Sequence, residues 1–571
     1  MRLPDGLIRM ARNRYGWLVR WGFVLLLGVG IQPQSANAGG IAQEYVVVYA
    51  GRATAEQARA AIAAAGGTLV RENLAVGVAT VQAYRADFAT AAGQQPALLS
   101  VARNTALGQV AVSHSPSSAL QGDQAGGIPA KQAQPSPPRS TTQGEPLARW
   151  QWNMRMINAP AAHALQQGDK RVLVGIIDTG IDGSHPDIAP NFNRELSRNF
   201  VPDGDAIDVD EGGHGTHVAG IIGAPLNGVG IAGVAPNVSL INLRVGNDEG
   251  FFFLQPMVDA LTYAGDVGID VVNMSLYIDP WAFLCANNPA DAPEAQQEQR
   301  TIIEGTQRAL EYARSRGVTL IAAAGNSNLD LGRPTVDTES PNYPPDTAYE
   351  RQVDNTCLHL PAEGNGVVSV TSVGPTGRKA YYSNYGTEQA DVAAPGGDVR
   401  DFVGEERYFQ PTNQILAPFP QALLESEQML NADGTPNAPD VVRDCQAEGC
   451  SYYRYLQGTS MAAPHAAGVA ALIISQYGVP DQARPGGIKL DPERTERLLQ
   501  ERATNRACPA RRVLDYPDLP PRFTATCEGT ALVNGFFGEG MVNAWRAVST
   551  VRRPWPKRLL EEGILPPELR R

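Results

Sequence analysis

No Cys-x-x-Cys pair and no His-Glu-x-x-His segment occurs in the chain. The first absence argues against a zinc knuckle. The second removes zinc hydrolases of that pattern, which need two histidines four residues apart and a glutamate base. Positive charge is also scarce, with 47 Lys plus Arg against 59 Asp plus Glu and a formal net charge of −12. A nucleic-acid binder needs a basic face to displace counterions from phosphate, so that class is excluded. After the N-terminal region no apolar run is long enough to cross a bilayer, and no internal repeat is visible. The remainder has the texture of a globular protein, 43% hydrophobic and 19% charged. Its 571 residues leave room for more than one folding unit, because a single core rarely grows past roughly 250–300 residues.

The N-terminus carries an address. Arg9, Arg12, Arg14 and Arg20 precede the apolar run Gly22-Phe-Val-Leu-Leu-Leu-Gly-Val-Gly-Ile31, and Ala36-Asn-Ala38 supplies a small-x-small step before Gly39. Basic, apolar and small residues in that order predict a secretion signal over residues 1–38, with an uncleaved anchor as the rival reading. The mature chain is then expected in a secreted, periplasmic or other extracytoplasmic setting, with no stable membrane span. Six cysteines fit an oxidising compartment. Nearness along the chain favours Cys445–Cys450 and Cys508–Cys527, leaving Cys285–Cys357, although about fifteen pairings are formally open.

Residues 39–105 predict a small α+β unit. Glu44-Tyr-Val-Val-Val-Tyr49 has strand composition, Thr54 caps an Ala-rich helix over 55–65, and strands are expected at 68–71, 76–82 and 97–102 with a helix at 85–92. This β-α-β-β-α-β order is that of a ferredoxin-like unit. Residues 106–148 are rich in Ser, Gln, Pro and Gly and predict a disordered linker. From 149 to 550, short apolar runs at 172–177, 240–245, 270–275, 318–323 and 366–373 alternate with helical patterns at 301–316 and 461–476. Continuous apolar strands between helices predict an α/β, doubly wound parallel sheet covered on both faces, with its site beyond the strands' carboxyl ends. Segments 281–300 and 398–455 are expected as surface loops, and 551–571 as an exposed tail.

Three segments carry chemistry. Asp178 ends the first apolar strand in Val172-Leu-Val-Gly-Ile-Ile-Asp178-Thr-Gly. Taken alone it reads as a turn aspartate. His214 opens an apolar helix in Gly212-Gly-His-Gly-Thr-His217-Val-Ala-Gly220. A free imidazole titrates near neutrality, so a histidine here can take up and return a proton, whereas His217 reads as structural. Ser460 opens another apolar helix in Gly458-Thr-Ser-Met-Ala-Ala-Pro-His465. There a serine is either an N-cap or a nucleophile whose backbone N–H and helix dipole face an oxyanion. Jointly, and in the order Asp, His, Ser, they have the components of a charge-stabilised nucleophile.

These segments resemble the three signature blocks of the subtilisin-like serine proteases. The resemblance covers the core of 149–550. It implies a secreted endopeptidase that needs no cofactor for catalysis and cleaves protein or peptide substrates as a monomer. Asp178 then orients, His214 is general base and acid, and Ser460 is the nucleophile. Asn326 in Ala322-Ala-Ala-Gly-Asn326 matches the family's oxyanion donor. Ser275, Leu276, Ala323 and Gly325 match the walls of the primary substrate pocket, which pairs its backbone with an extended peptide. Tyr277 departs from the family's usual Gly, and Phe251-Phe-Phe253 either lines the cleft or starts a buried helix. Asp187 and Asn227 match ligands of a structural calcium, although the Gln that relatives add from their mature N-terminus has no counterpart. Residues 39–105 resemble an inhibitory prodomain, which implies an autoprocessed precursor. Leu532-Val-Asn-Gly-Phe-Phe-Gly-Glu-Gly-Met-Val-Asn-Ala544 resembles the family's closing block.

Overall fold

The computed structural model describes residues 42–104 and 144–549, apart from 247–251, 253, 277, 279, 339, 342–346, 448 and 517. The predicted signal, most of the predicted linker and the tail lie outside the described residues, as do Phe251, Phe253 and Tyr277.

The N-terminal unit follows the expected element order: β1 (Gln43–Tyr49), α1 (Ala55–Ala64), β2 (Gly67–Asn73), β3 (Val78–Ala83), α2 (Phe88–Gly93) and β4 (Leu98–Arg103). Its four strands pair antiparallel in the order β2-β3-β1-β4. Thr54 caps α1 reciprocally. Its hydroxyl accepts from Gln57 N at 3.2 Å, and the Gln57 side chain accepts from Thr54 N at 2.9 Å. The two-residue period of β1 sends Tyr45, Val47 and Tyr49 onto Ile62 and Phe88 of the unit's own core. Val46 and Val48 point the other way, into a core shared with the large body.

That body is built on seven parallel strands. In chain order β5 (Leu173–Asp178), β6 (Arg198–Asn199), β7 (Ser239–Arg244), β8 (Val271–Met274), β9 (Thr319–Ala323), β10 (Val367–Val373) and β11 (Val392–Pro395) lie as β11-β10-β9-β8-β5-β7-β6. Val174 and Ile176 of β5 pack under α3 (His214–Gly223) and α6 (Thr459–Tyr477), while Leu173 and Ile177 pack under α4 (Leu254–Val267) and α5 (Pro293–Ser315). Both faces are therefore covered, as apolar strands require. Helix α6 is buried from Thr459 to Ile474, so it runs through the core rather than over it. Strand order reverses beside β5, which opens a crevice at the carboxyl ends there.

Two expectations need correction. Segment 281–300 is not a surface loop: Trp281, Phe283, Leu284 and Cys285 are buried, and α5 begins at Pro293. Proline at the first turn starts the helix, but apolar periodicity sets in only later, so the pattern places the start too late. Segment 398–455 is likewise structured. It contains β12 (Ile415–Pro418), β13 (Val441–Gln446) and β14 (Gly449–Leu456), an antiparallel sheet ordered β12-β14-β13 with Tyr453 and Tyr455 buried. Its polar, Pro-rich composition belongs to the turns. Order also begins before 149, since Glu145 and Leu147 are buried. The cysteines pair as Cys285–Cys357, Cys445–Cys450 and Cys508–Cys527, so the pairing favoured by proximity holds and none is left for zinc.

Candidate active site

Asp178 is the last residue of β5, His214 the first of α3, and Ser460 the second of α6. All three are almost fully buried, at 0%, 1% and 3% exposure. Asp178 Oδ1 accepts from His214 Nδ1 at 2.8 Å and from Thr179 N at 2.8 Å. This fixes the imidazole tautomer with the proton on Nδ1 and leaves Nε2 as the basic nitrogen. His214 Nε2 has no hydrogen-bond partner, because Ser460 Oγ donates to Ser275 O at 3.1 Å instead. The serine–histidine hydrogen bond is therefore not made in this structure, as catalytic hydrogen bonds in enzymes without substrate often are not.

Asn326 stands just beyond β9, facing the same helix start. Its Oδ1 accepts from Thr459 N and Thr459 Oγ1, both at 2.9 Å. With the oxygen so engaged, Nδ2 lies toward Gly458, 3.5 Å from where a Cβ on that glycine would be. An amide donor and the Ser460 N–H therefore share one corner. What stiffens this loop was not visible in the sequence. Asn384 Oδ1 accepts from Ser327 N at 3.1 Å and Leu329 N at 2.8 Å, and the buried Lys379 ammonium donates to Asn328 Oδ1 at 2.5 Å. Burial lowers Lys379 to about 7.

A model of the Subtilase family matches residues 169–536. The chain belongs to the subtilase family.

Among subtilases, the chain is 31% identical over 304 residues to a thermophilic serine proteinase of Bacillus sp. (strain AK1), covering 53% of this chain and 52% of that protein. It is 28% identical to subtilisin DY of Bacillus licheniformis, over 57% of this chain and 85% of that one. Of solved structures, the epidermin leader peptide processing serine protease of Staphylococcus aureus overlays with TM-score 0.61 at 20% identity, covering 90% of this chain and 99% of its own. Fervidolysin from Fervidobacterium pennivorans overlays with TM-score 0.55 at 20% identity, covering 91% and 62%.

The predicted pocket walls gather at the strand ends: Ser275 and Leu276 follow β8, Ala323 ends β9 and Gly325 follows it. Ser275 Oγ donates to Ser460 O at 2.8 Å and Gly325 N to Thr459 Oγ1 at 3.1 Å, so both predicted walls are tied to the start of α6. Phe252 is buried against Gly246 in the core under α4, which favours the buried-helix reading of that run. His217 is structural, with Nε2 near the carbonyls of Ile415 at 3.1 Å and Arg454 at 3.0 Å, and burial lowers it to about 3.

Asp187 and Asn227 also come together. Asp187 Oδ2 accepts from Ile231 N and Tyr453 Oη, each at 2.9 Å, while Oδ1 is buried without a partner. Burial pushes Asp187 up to about 8, and the nearby Glu145 adds to the rise. Glu145 closes over the same loop, its carboxylate accepting from Gly228 N at 3.0 Å. It comes from the stretch just before 149, which was expected to be linker. An orphaned buried carboxylate oxygen on Asp187, with the Glu145 carboxylate nearby, fits a calcium ion, which takes oxygen ligands only.

Proposed function

We propose that this subtilase is an exported endopeptidase that hydrolyses peptide bonds through an acyl-enzyme on Ser460. The observation that carries the reading is the 2.8 Å bond between Asp178 and His214 Nδ1, with His214 Nε2 left open beside the start of α6.

The geometry supports the following steps. Substrate entry draws Ser460 Oγ from Ser275 O to His214 Nε2. Oγ attacks the scissile carbonyl carbon as its proton passes to Nε2. Asp178 stabilises the resulting imidazolium. The carbonyl oxygen becomes an oxyanion that accepts from Asn326 Nδ2 and Ser460 N, at the positive end of α6. Collapse breaks the C–N bond and His214 returns the proton to the leaving amine. Water, deprotonated by His214, then repeats the sequence on the ester and releases Ser460.

Three disulfides support an extracytoplasmic setting. Residues 42–104 act in this reading as a prodomain, laid on α4 and α5 by Val46, Val48, Val76 and Val78. Asp187, Asn227 and Glu145 would hold a calcium ion that stiffens the 225–231 loop, and no catalytic step runs through it. Removing it with a chelator is expected to lower the Tm of the wild type and to leave that of Asp187→Asn unchanged. Equal shifts in both would refute the site.

One pair of proteins tests the activity. A fluorophosphonate probe should label the wild type and not Ser460→Ala, and labelling that survives the substitution would sink the assignment. N-terminal analysis of the same two secreted products should show a new, internal N-terminus in the wild type alone.

A further inference from the structure

Asp210 belongs to neither the catalytic row nor the oxyanion corner, yet it touches both elements that carry the Asp178–His214 pair. It lies four residues before His214 and is 4% exposed. It accepts five hydrogen bonds: Oδ1 from Thr179 Oγ1 at 2.9 Å, Gly212 N at 3.1 Å and Gly213 N at 2.9 Å, and Oδ2 from Thr216 N at 2.8 Å and Thr216 Oγ1 at 2.6 Å. Thr179 is the residue after Asp178, and its hydroxyl also accepts from Gly215 N at 3.1 Å. Asp210 therefore binds the end of β5 to the first turn of α3 through one hydroxyl bridge and three amides.

Three of the five partners, the amides of Gly212, Gly213 and Thr216, can only donate, and they favour the ionised carboxylate. Burial, and the charge of Asp178 nearby, both push its pKa up. Those costs are offset by the amides and by the positive end of α3. Of the charged and titratable groups around the pair, Asp210 on the preceding loop acts on Asp178, and His217 on α3 acts on His214 and has Arg454 of β14 beside it.

We propose that Asp210 is a positioning residue for catalysis: it locks β5 to α3 so that His214 stays on Asp178, and its charge helps stabilise the imidazolium formed in the reaction. This rests on the serine-hydrolase reading above. Two consequences separate it from a merely structural role. Loss of registry between Asp178 and His214 acts on the chemical step and not on substrate binding, so it lowers kcat and leaves KM. Loss of a neighbouring negative charge disfavours the imidazolium, so the acid limb of the kcat/KM profile moves to lower pH.

The test compares wild type, Asp210→Asn and Thr179→Val as full chains, with rates normalised to sites counted by the fluorophosphonate probe. In Asp210→Asn, kcat is expected to fall roughly 10- to 100-fold, the range a misplaced catalytic group costs. KM stays within about threefold and the acid limb shifts down. Thr179→Val removes the bridge without removing charge, and its kcat falls less while its acid limb stays put. It also serves if Asp210→Asn does not fold. Unchanged kcat in either folded variant, or a loss confined to KM, overturns the positioning role while the hydrolase reading stands. A wild type that the probe does not label overturns both.

Discussion

At the scale of single residues, Asn326 has two jobs that one substitution confounds. Its oxygen holds Thr459 N and Oγ1, and in the proposed mechanism its nitrogen donates to the oxyanion. Asn326→Ala is expected to lower kcat about 10²- to 10³-fold with little change in KM, because the donor acts on charge that exists only in the transition state. Asn326→Asp keeps an acceptor for Thr459 but places negative charge at the oxyanion. It should be at least as inactive while melting close to wild type, and steady-state kinetics with thermal denaturation distinguish the two roles. Asp178, His214 and Ser460 were legible in sequence as candidates because each sits at an element boundary with recognisable neighbours. Asp210 was not, since an aspartate in Asp210-Glu-Gly-Gly213 has the look of a turn residue until Thr179, far away along the chain, supplies its partner. Glu145 was hidden for a similar reason, lying at the end of a stretch whose composition suggests disorder.

At the scale of elements, α3 and α6 each bury a neutral histidine. His217 is lowered to about 3 and His465 to about 4, in both cases chiefly by burial. His465 Nδ1 faces Met461 O at 2.7 Å and Nε2 faces Asn153 Nδ2 at 2.8 Å, an arrangement that uses one proton only. In the unfolded chain both titrate near 6.5. Their contribution to stability is thus fully present above about pH 6.5. It is lost as pH falls toward about 4 and then 3, because the unfolded state takes up protons the native state refuses. Each group costs about 1.4 kcal/mol per pH unit across its window. Denaturant unfolding of the Ser460→Ala form should therefore show stability falling steeply below pH 6.5, and His465→Gln should make that slope shallower. An unchanged slope would mean that His465 is already charged in the folded protein. Elements with a clear period were read correctly: the apolar strands, the capped α1 and the core helix α6. The β13–β14 hairpin escaped because its buried tyrosines sit among turn residues and charges, and only packing against the large body reveals the face they cover.

At the scale of the molecule, residues 42–104 and the subtilase body meet along α4 and α5. The apolar part of this junction is Val46, Val48, Val76 and Val78 against Leu254, Met257 and Leu261. Around it, Arg71 pairs with Asp259 at 2.6 Å and Asn73 Nδ2 donates to Asp259 at 2.7 Å. Arg308 Nη1 donates to the carbonyls of Tyr49 at 3.0 Å and Val76 at 3.2 Å. The Arg71–Asp259 pair is a poor point of attack, since burial already pushes Asp259 up and its removal relieves a cost as well as a bond. Arg308 is better. Glu304 holds its Nε at 2.8 Å, so the guanidinium is prearranged, and the two carbonyls it serves lie at the edge of the apolar contact. A hydrogen bond to a charged group contributes about 1.5–3 kcal/mol, so Arg308→Ala should weaken docking roughly 10- to 100-fold. In the Ser460→Ala background, cleaving between residues 104 and 144 with an added endopeptidase leaves the N-terminal unit held only by this surface. Gel filtration should then show it travelling with the body when Arg308 is present and lagging behind in Arg308→Ala at the same protein concentration. Co-migration in both would place the docking energy in the valines alone, and Val46→Asp would then be the substitution that parts the two.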